Sequence, residues 1–232
     1  MKRIIVVLGL VFLLAACGSK VKPEDLVDES YKKMEDLENY HIESEIKVMV
    51  DHESKSEETG TFKGQIDEAK DMAHVTETAE SGDMEQELEL YFEDGKQYVL
   101  DGDQWILVTE DVGDIRRAGT TYYSIMKAVR DFAEYGEPST DDKYTLTYSG
   151  TAQEVFYAFE DVFSLSLTGF DMDEETDAEV YAEFDQKDLF LTHLEIEIHA
   201  ENDMAKAMLY VDVEFTDIND SEIERPDDLD IE

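Results

Sequence analysis

The chain has 232 residues, of which 60 are acidic and 19 basic, and its formal net charge is −41 at pH 7. This charge excludes binding to nucleic acids and to anionic lipid surfaces, because both require clustered Lys and Arg. The acidic residues alternate with apolar ones along the whole chain, which predicts a folded domain with an acidic surface. We interpret that surface as a solvated one suited to high salt; the alternative is a store for cations or a site for a basic partner.

Residues 1–16 have the organisation of an export signal. A basic start at Lys2 and Arg3 is followed by an apolar run from Ile4 to Leu14 and then by two small residues. About eleven apolar residues are too few to cross a bilayer, which takes roughly 20. We therefore predict a cleaved signal peptide rather than a transmembrane helix.

Cys17 is the single cysteine of the chain. The four residues Leu14-Ala15-Ala16-Cys17 resemble a lipobox, so we predict cleavage before Cys17 and attachment of acyl chains such as palmitate to it. Stable anchoring takes about two such chains, and the expected location is the extracytoplasmic face of the cell membrane. The alternative is an ordinary secreted protein. With one cysteine no intramolecular disulfide can form, so stability must come from the core.

The predicted elements begin with a helix that opens at Pro23 and runs to about Asn39. Apolar and polar residues then alternate from Tyr40 to Asp51, which predicts a long, half-buried strand. Two strands with weaker alternation are predicted next, at residues 61–67 and 71–78. Asp94-Gly95 and Asp101-Gly102 are hairpin signals, and they join three short-connected strands, predicted at residues 84–92, 97–100 and 104–109, into a meander.

Two helices are predicted in the middle of the chain, at residues 120–135 and 151–163, with a strand at 143–149 between them. Thr151 is the expected N-cap of the later helix, and Glu154 stands at capping-box spacing from it. Three alternating strands follow, at residues 178–185, 189–200 and 205–216. Short turns require antiparallel pairing, and long twisted strands tend to curl. We predict an α+β fold, a half-barrel of about ten strands with the helices on its concave side.

Several features together resemble the LolA/LppX-like lipoproteins and, within them, the DUF6612-type lipoproteins of Gram-positive bacteria. They are the acylated Cys17, the short first helix, the strand from Tyr40 to Asp51, the hairpin from Tyr91 to Tyr98 that leads to Trp105, and the turn from Asp185 to Leu189. The resemblance covers nearly the whole mature chain as a pattern of elements. It implies an apolar cavity, enclosed by the sheet and the helices, that in some relatives holds lipids or lipid-modified proteins. Carriers that shuttle freely lack the anchor cysteine.

The domain organisation expected from these features is a signal peptide at 1–16, a lipid-anchored tether at 17–22, a single domain at 23–219 and an acidic tail at 220–232. The candidate cavity wall combines apolar positions of the strands with an aromatic stripe on the helix at 151–163, although the same residues would equally serve as a filled core. The wall residues are Ile42, Ile46, Val48, Leu88, Leu90, Trp105, Phe156, Phe159, Phe163, Leu194, Ile196, Leu209, Val211 and Val213.

Motifs for catalysis or metal binding are missing from the sequence. It has no nucleophile elbow, phosphate-binding glycine loop or dinucleotide fingerprint. His193 and His199 share one face of a predicted strand with two glutamates, and we expect that face to point outward. The acidic loop from Asp171 to Asp177 lacks the glycine and the final glutamate of a calcium loop, so we interpret it as a solvated loop, with loose calcium binding as the alternative. We therefore expect no enzyme, no metal and no cofactor.

The leading hypothesis is a monomeric, membrane-anchored extracytoplasmic lipoprotein that binds a lipid or acyl chain in the half-barrel. The alternative is a ligand-free envelope lipoprotein with a structural role, or one that holds a protein partner of unknown identity through its acidic face or a sheet edge. Extractable lipid in the purified protein separates the two hypotheses. An enzyme ranks third, because the sequence offers no convergent catalytic pair.

Overall fold

The structure is a computed structural model, and it describes residues 21–52, 54–108, 121–167, 169–226 and 229. The predicted signal peptide and Cys17 lie outside the described residues. Within the described ranges no helix is long and apolar enough to cross a bilayer.

Eleven strands and three α-helices make up the described part of the chain. The helices are α1 (Leu26–Lys33), α2 (Tyr122–Phe132) and α3 (Ala152–Phe163), and short 3-10 turns flank α1 at Pro23–Asp25 and Met34–Asp36. The strands are β1 (Asn39–Asp51), β2 (Lys55–Asp67), β3 (Met72–Ser81), β4 (Met84–Glu93), β5 (Lys96–Asp101), β6 (Gln104–Leu107), β7 (Glu137–Thr140), β8 (Tyr144–Gly150), β9 (Thr176–Phe184), β10 (Leu191–Glu201) and β11 (Lys206–Thr216).

The strands form one antiparallel sheet in the order β6-β5-β4-β3-β2-β1-β11-β10-β9-β8-β7. Two meanders meet at its centre, where β1 pairs with β11 along the full length of β11. The sheet curls without closing, so β6 and β7 are its edges, and the helices pack against it. The predicted α+β fold, a curved antiparallel sheet with helices, is confirmed.

The core lies between the helices and the face of the sheet that we call the inner face. Alternate residues of β1 point to it, beginning with Tyr40 and Ile42, because side chains along a strand alternate between faces. Helices α2 and α3 present their apolar sides to the same core, and Phe132 of α2 packs on Phe159 of α3 with ring centroids 5.5 Å apart. One continuous core therefore joins both meanders to the helices.

Two buried tyrosines hold the start of α2 against the sheet. The backbone N–H of Tyr122 donates to the Tyr40 hydroxyl at 3.2 Å, and the Tyr122 hydroxyl accepts from the N–H of Leu191 at 2.7 Å. Burial raises the pKa of both tyrosines far above its usual value. Thr121 and Ser124 close a capping box at the same helix end. Polar groups that would be unsatisfied in the core therefore bond to one another.

Two predicted boundaries lie well away from those of the structure, and one predicted helix cap is absent. The first helix ends at Lys33 rather than near Asn39, and a 3-10 turn follows it. Thr151 makes no side-chain cap on α3; instead its hydroxyl bonds to Glu154, and the N–H of Ala152 donates to the hydroxyl of Thr176 at 3.0 Å. Strand β2 begins at Lys55 rather than at residue 61. The prediction began too late because the first residues of the strand are exposed on both faces and show no alternation.

The prediction missed one strand. Gly136 and Pro138 indicate a helix stop, yet β7 forms directly after it and pairs with β8. Proline is tolerated there because β7 is an edge strand, where an absent N–H breaks no ladder on the open side. The sheet consequently has eleven described strands rather than about ten.

The opposite face of the sheet, which we call the outer face, carries a smaller apolar cluster on β4 to β6. Part of the segment predicted as an acidic tail packs there: Leu229 is buried against Tyr91 and Tyr98. Arg225 also forms an ion pair with Glu93 of β4, with an N–O distance of 3.4 Å. The C-terminal residues thus cover one end of the outer face.

Candidate functional site

The inner face carries an open groove of about 640 Å³ where it extends beyond the core, over β1 to β4. The volume falls within the roughly 300–1,000 Å³ of small-molecule sites. The groove is lined by Ser44, Ile46, Gly60, Thr61, Phe62, Glu77, Thr78, Ala79, Gln86, Glu87 and Leu88.

The groove exists because the core ends partway along these strands. On β4, Leu90 is 4 % exposed and belongs to the core, whereas Leu88, the next residue on the same face, is 41 % exposed. On β1 the same transition runs from the buried Ile42 to the half-buried Ile46. Gly60 lies between Ile46 and Ala79 in the register and has no side chain to fill the space. Apolar surface therefore remains uncovered on the concave side of the sheet.

The structure separates the predicted wall residues into groups. Ile46 and Leu88 line the groove, and Val48 is a half-buried neighbour of Ile46 on the same face. Ten others are buried between the sheet and the helices and form the filled core. They are Ile42, Leu90, Phe156, Phe159, Phe163, Leu194, Ile196, Leu209, Val211 and Val213.

Trp105 was predicted in the cavity wall, and this prediction is wrong. The residue pairs with Leu100 in the β5–β6 register, while Val99 pairs with the inner-face residue Leu90, so the side chain of Trp105 points to the outer face. There its ring lies 6.2 Å from that of Tyr91, measured between centroids. The sequence shows that residues alternate along a strand, but register decides which face a short edge strand turns inward.

Several groove residues were missed by sequence reasoning, above all Gly60, Phe62 and Glu77. Phe62 and Glu77 are cross-strand partners on β2 and β3, and Glu77 pairs in turn with Leu88 on β4. One signal was available: Glu77 takes the position expected for an apolar residue after Ala73 and Val75. A charged residue in the apolar phase of a strand is typical of a functional position.

Glu77 is the charged side chain that the groove holds on its inner face. Its carboxyl is half-buried, and within the described residues it has neither a hydrogen bond nor an ion pair. Burial raises its pKa above the usual value for a glutamate. Ser44 lies on the same face of the groove, whereas the register turns the side chains of the lining residues Thr61 and Thr78 to the outer face. The lining thus combines the apolar side chains of Ile46, Phe62, Ala79 and Leu88 with a smaller exposed area of polar groups.

Potential metal ligands lie on the outer face. His193, Asp212 and Glu214 each offer a ligand atom, and these atoms lie within 4.8 Å of one another. The His193 Nε2 atom is 3.1 Å from the Asp212 Oδ2 atom, and the Tyr210 hydroxyl donates to the same oxygen at 3.1 Å. Hydrogen bonding alone thus accounts for the close approach of His193 to Asp212. In the predicted acidic loop, Asp171 accepts two backbone N–H groups of its own turn.

The family model described as "Family of unknown function (DUF6612)" matches residues 22–227. No curated protein matches the chain. One similar solved structure is LprF from Mycobacterium bovis, with 10% identity and a TM-score of 0.43, covering 90% of this chain and 99% of that one. A LolA superfamily protein from Nitrosomonas europaea has 9% identity and a TM-score of 0.24, covering 84% and 93%. A DUF1329 family protein from Desulfovibrio piger has 8% identity and a TM-score of 0.23, covering 84% and 94%.

The DUF6612 match extends over every described strand and helix of the curled sheet, from the turn before α1 to the segment after β11. This agrees with the family that the sequence resemblance indicates. The chain belongs to the DUF6612 family.

Proposed function

We propose that the protein is a lipid-anchored, extracytoplasmic lipoprotein that binds an apolar, lipid-like ligand in the groove over β1 to β4. The observation that carries the proposal is the groove itself, a concave surface of about 640 Å³ lined by Ile46, Phe62, Ala79 and Leu88. An alkyl chain laid in it would gain about 0.8 kcal/mol for each methylene removed from water. The anchor at Cys17 would hold the groove at the membrane surface, where such ligands are concentrated.

The ligand is tested with two leucines on opposite faces. Leu88 on the inner face is 41 % exposed and Leu107 on the outer face is 43 % exposed, so a change to aspartate costs little stability at either site. The purified protein is exposed to bacterial membranes, and bound lipid is measured by native mass spectrometry and by organic extraction. We expect bound lipid in the wild type and in Leu107→Asp, and a loss of it in Leu88→Asp, with circular dichroism unchanged. A lipid-free wild type would overturn the proposal and favour a protein partner.

The anchor is tested separately, by growing cells that express the full chain with an alkyne-labelled fatty acid. We expect the label on the wild-type protein and none on Cys17→Ser, which should also leave the membrane fraction. A membrane-bound, unlabelled wild type would refute anchoring through Cys17.

A further inference from the structure

The charged side chains on the inner face of β1 to β5 are all negative. According to the strand register, the inner-face positions of β1 to β5 carry acidic residues, among them Glu58 and Glu77, and none of these described positions carries Lys or Arg. The nearby lysines belong to the outer face; Lys63, for example, pairs with Glu43. A ligand in the groove therefore meets a negative field with no compensating cation on the same face.

Glu77 concentrates that field at one point. It lies between Phe62 and Leu88 across the strands, so aromatic and aliphatic surface flanks its carboxyl on both sides. A carboxylate in such surroundings loses hydration, and a charged partner that enters with the ligand would restore what it has lost. Glu58, in contrast, accepts a hydrogen bond from Ser81 near the open end of the sheet. The carboxyl of Glu77, which has no partner among the described residues, thus faces the place where a ligand would lie.

We propose that the groove selects an amphiphile with a protonated amine as its head group, with the ammonium against Glu77 and the alkyl chain over Ile46, Phe62 and Leu88. This inference rests on the proposed function and names the ligand class that the groove would take. A carboxylate or phosphate head group would be repelled by Glu77, and a hydroxyl head group could donate a hydrogen bond to the carboxylate but would bring no opposite charge.

The test compares three probes with the same chain length, dodecylamine, 1-dodecanol and dodecanoic acid, by isothermal titration calorimetry below their aggregation concentrations. The variant is Glu77→Gln, and the matched control is Glu80→Gln. Glu80 lies on the same strand and loses the same charge, but it is exposed and points to the outer face. The control therefore separates a local contact from the general attraction of a protein with a net charge of −41 for any cation.

We expect the wild type to bind the amine at least about tenfold more tightly than the alcohol, and the acid most weakly, because hydrogen bonds between charged groups are the stronger ones. Glu77→Gln should remove the advantage of the amine and leave the affinity for the alcohol unchanged, while Glu80→Gln should behave as the wild type. Equal binding of the three probes, or equal effects of the two variants, would overturn the inference and leave the proposed function standing. If none of the probes binds, the proposed function fails and the inference with it.

Discussion

Two glycines on one strand provide a test that separates the groove from the fold. Gly60 and Gly64 both lie on the inner face of β2. A Cβ atom added at Gly60 meets no atom within 4 Å, and the residue does not have a positive φ. A Cβ atom added at Gly64 would lie 2.2 Å from the carbonyl oxygen of His74 and 2.6 Å from the Cα atom of Val75. Both of these neighbours are backbone atoms and cannot move aside without distorting β3.

The two sites therefore respond in opposite ways. Replacing a glycine inside a strand gains about 0.5–1 kcal/mol where there is space, so Gly60→Val should keep or raise the free energy of unfolding. Gly64→Ala should lower it by at least about 1–3 kcal/mol, the usual cost of overpacking. Gly60→Phe should fold normally and place its ring between Ile46 and Ala79, which blocks the groove.

Urea denaturation followed by circular dichroism measures the stabilities, and calorimetry with dodecylamine and 1-dodecanol measures binding. A folded Gly60→Phe that binds both probes as tightly as the wild type would show that the ligand lies elsewhere. A Gly60→Val variant as unstable as Gly64→Ala would refute the open space that the structure shows at this position.

Three further predictions concern the core and the outer face. Tyr40→Phe should cost about 1–3 kcal/mol in urea denaturation, because the buried N–H of Tyr122 loses its acceptor. Burial raises the pKa of Tyr40 and Tyr122, and it raises that of Tyr91 to about 12. The stability that these groups contribute is therefore complete below about pH 10 and is lost as the pH rises through the pKa values of the folded state. A free energy of unfolding that stays constant between about pH 10 and 12 would contradict this prediction. Leu229→Asp should shift the fluorescence of Trp105 to the red, since Leu229 belongs to the cluster around that ring, whereas binding of an alkyl probe should leave the emission unchanged.

The regular part of the fold was predictable from local pattern. Alternation predicted most of the strands, as in β10, where buried residues mostly alternate with partly buried or exposed ones as the sequence indicates. Strand β7 and the first half of β2 were not predicted because neither shows alternation. Strand β7 is a short edge strand, and the first half of β2 is exposed on both faces. Their pairing is decided by neighbouring strands, which the local sequence does not contain.

The candidate site was predictable only in part, for a different reason. The alternation of apolar residues that identified Ile46 and Leu88 also identified buried core residues such as Ile196. A strand pattern shows which face is apolar, but it does not show how far the helices cover that face. How far the helices cover the apolar face depends on their length and placement in the folded chain. Trp105 was misplaced because the pairing of β5 with β6 sets its face. Glu77, in contrast, was visible in the sequence as a charge in the apolar phase of its strand.

The most direct test of the groove as the ligand site is photo-crosslinking with an alkyl amine that carries a diazirine near its chain end, followed by peptide mapping. We expect adducts on Ile46, Phe62 or Leu88 of the wild type, competed by unlabelled dodecylamine and absent in Gly60→Phe. Competed adducts on the outer face around Trp105, or adducts that persist in Gly60→Phe, would contradict it.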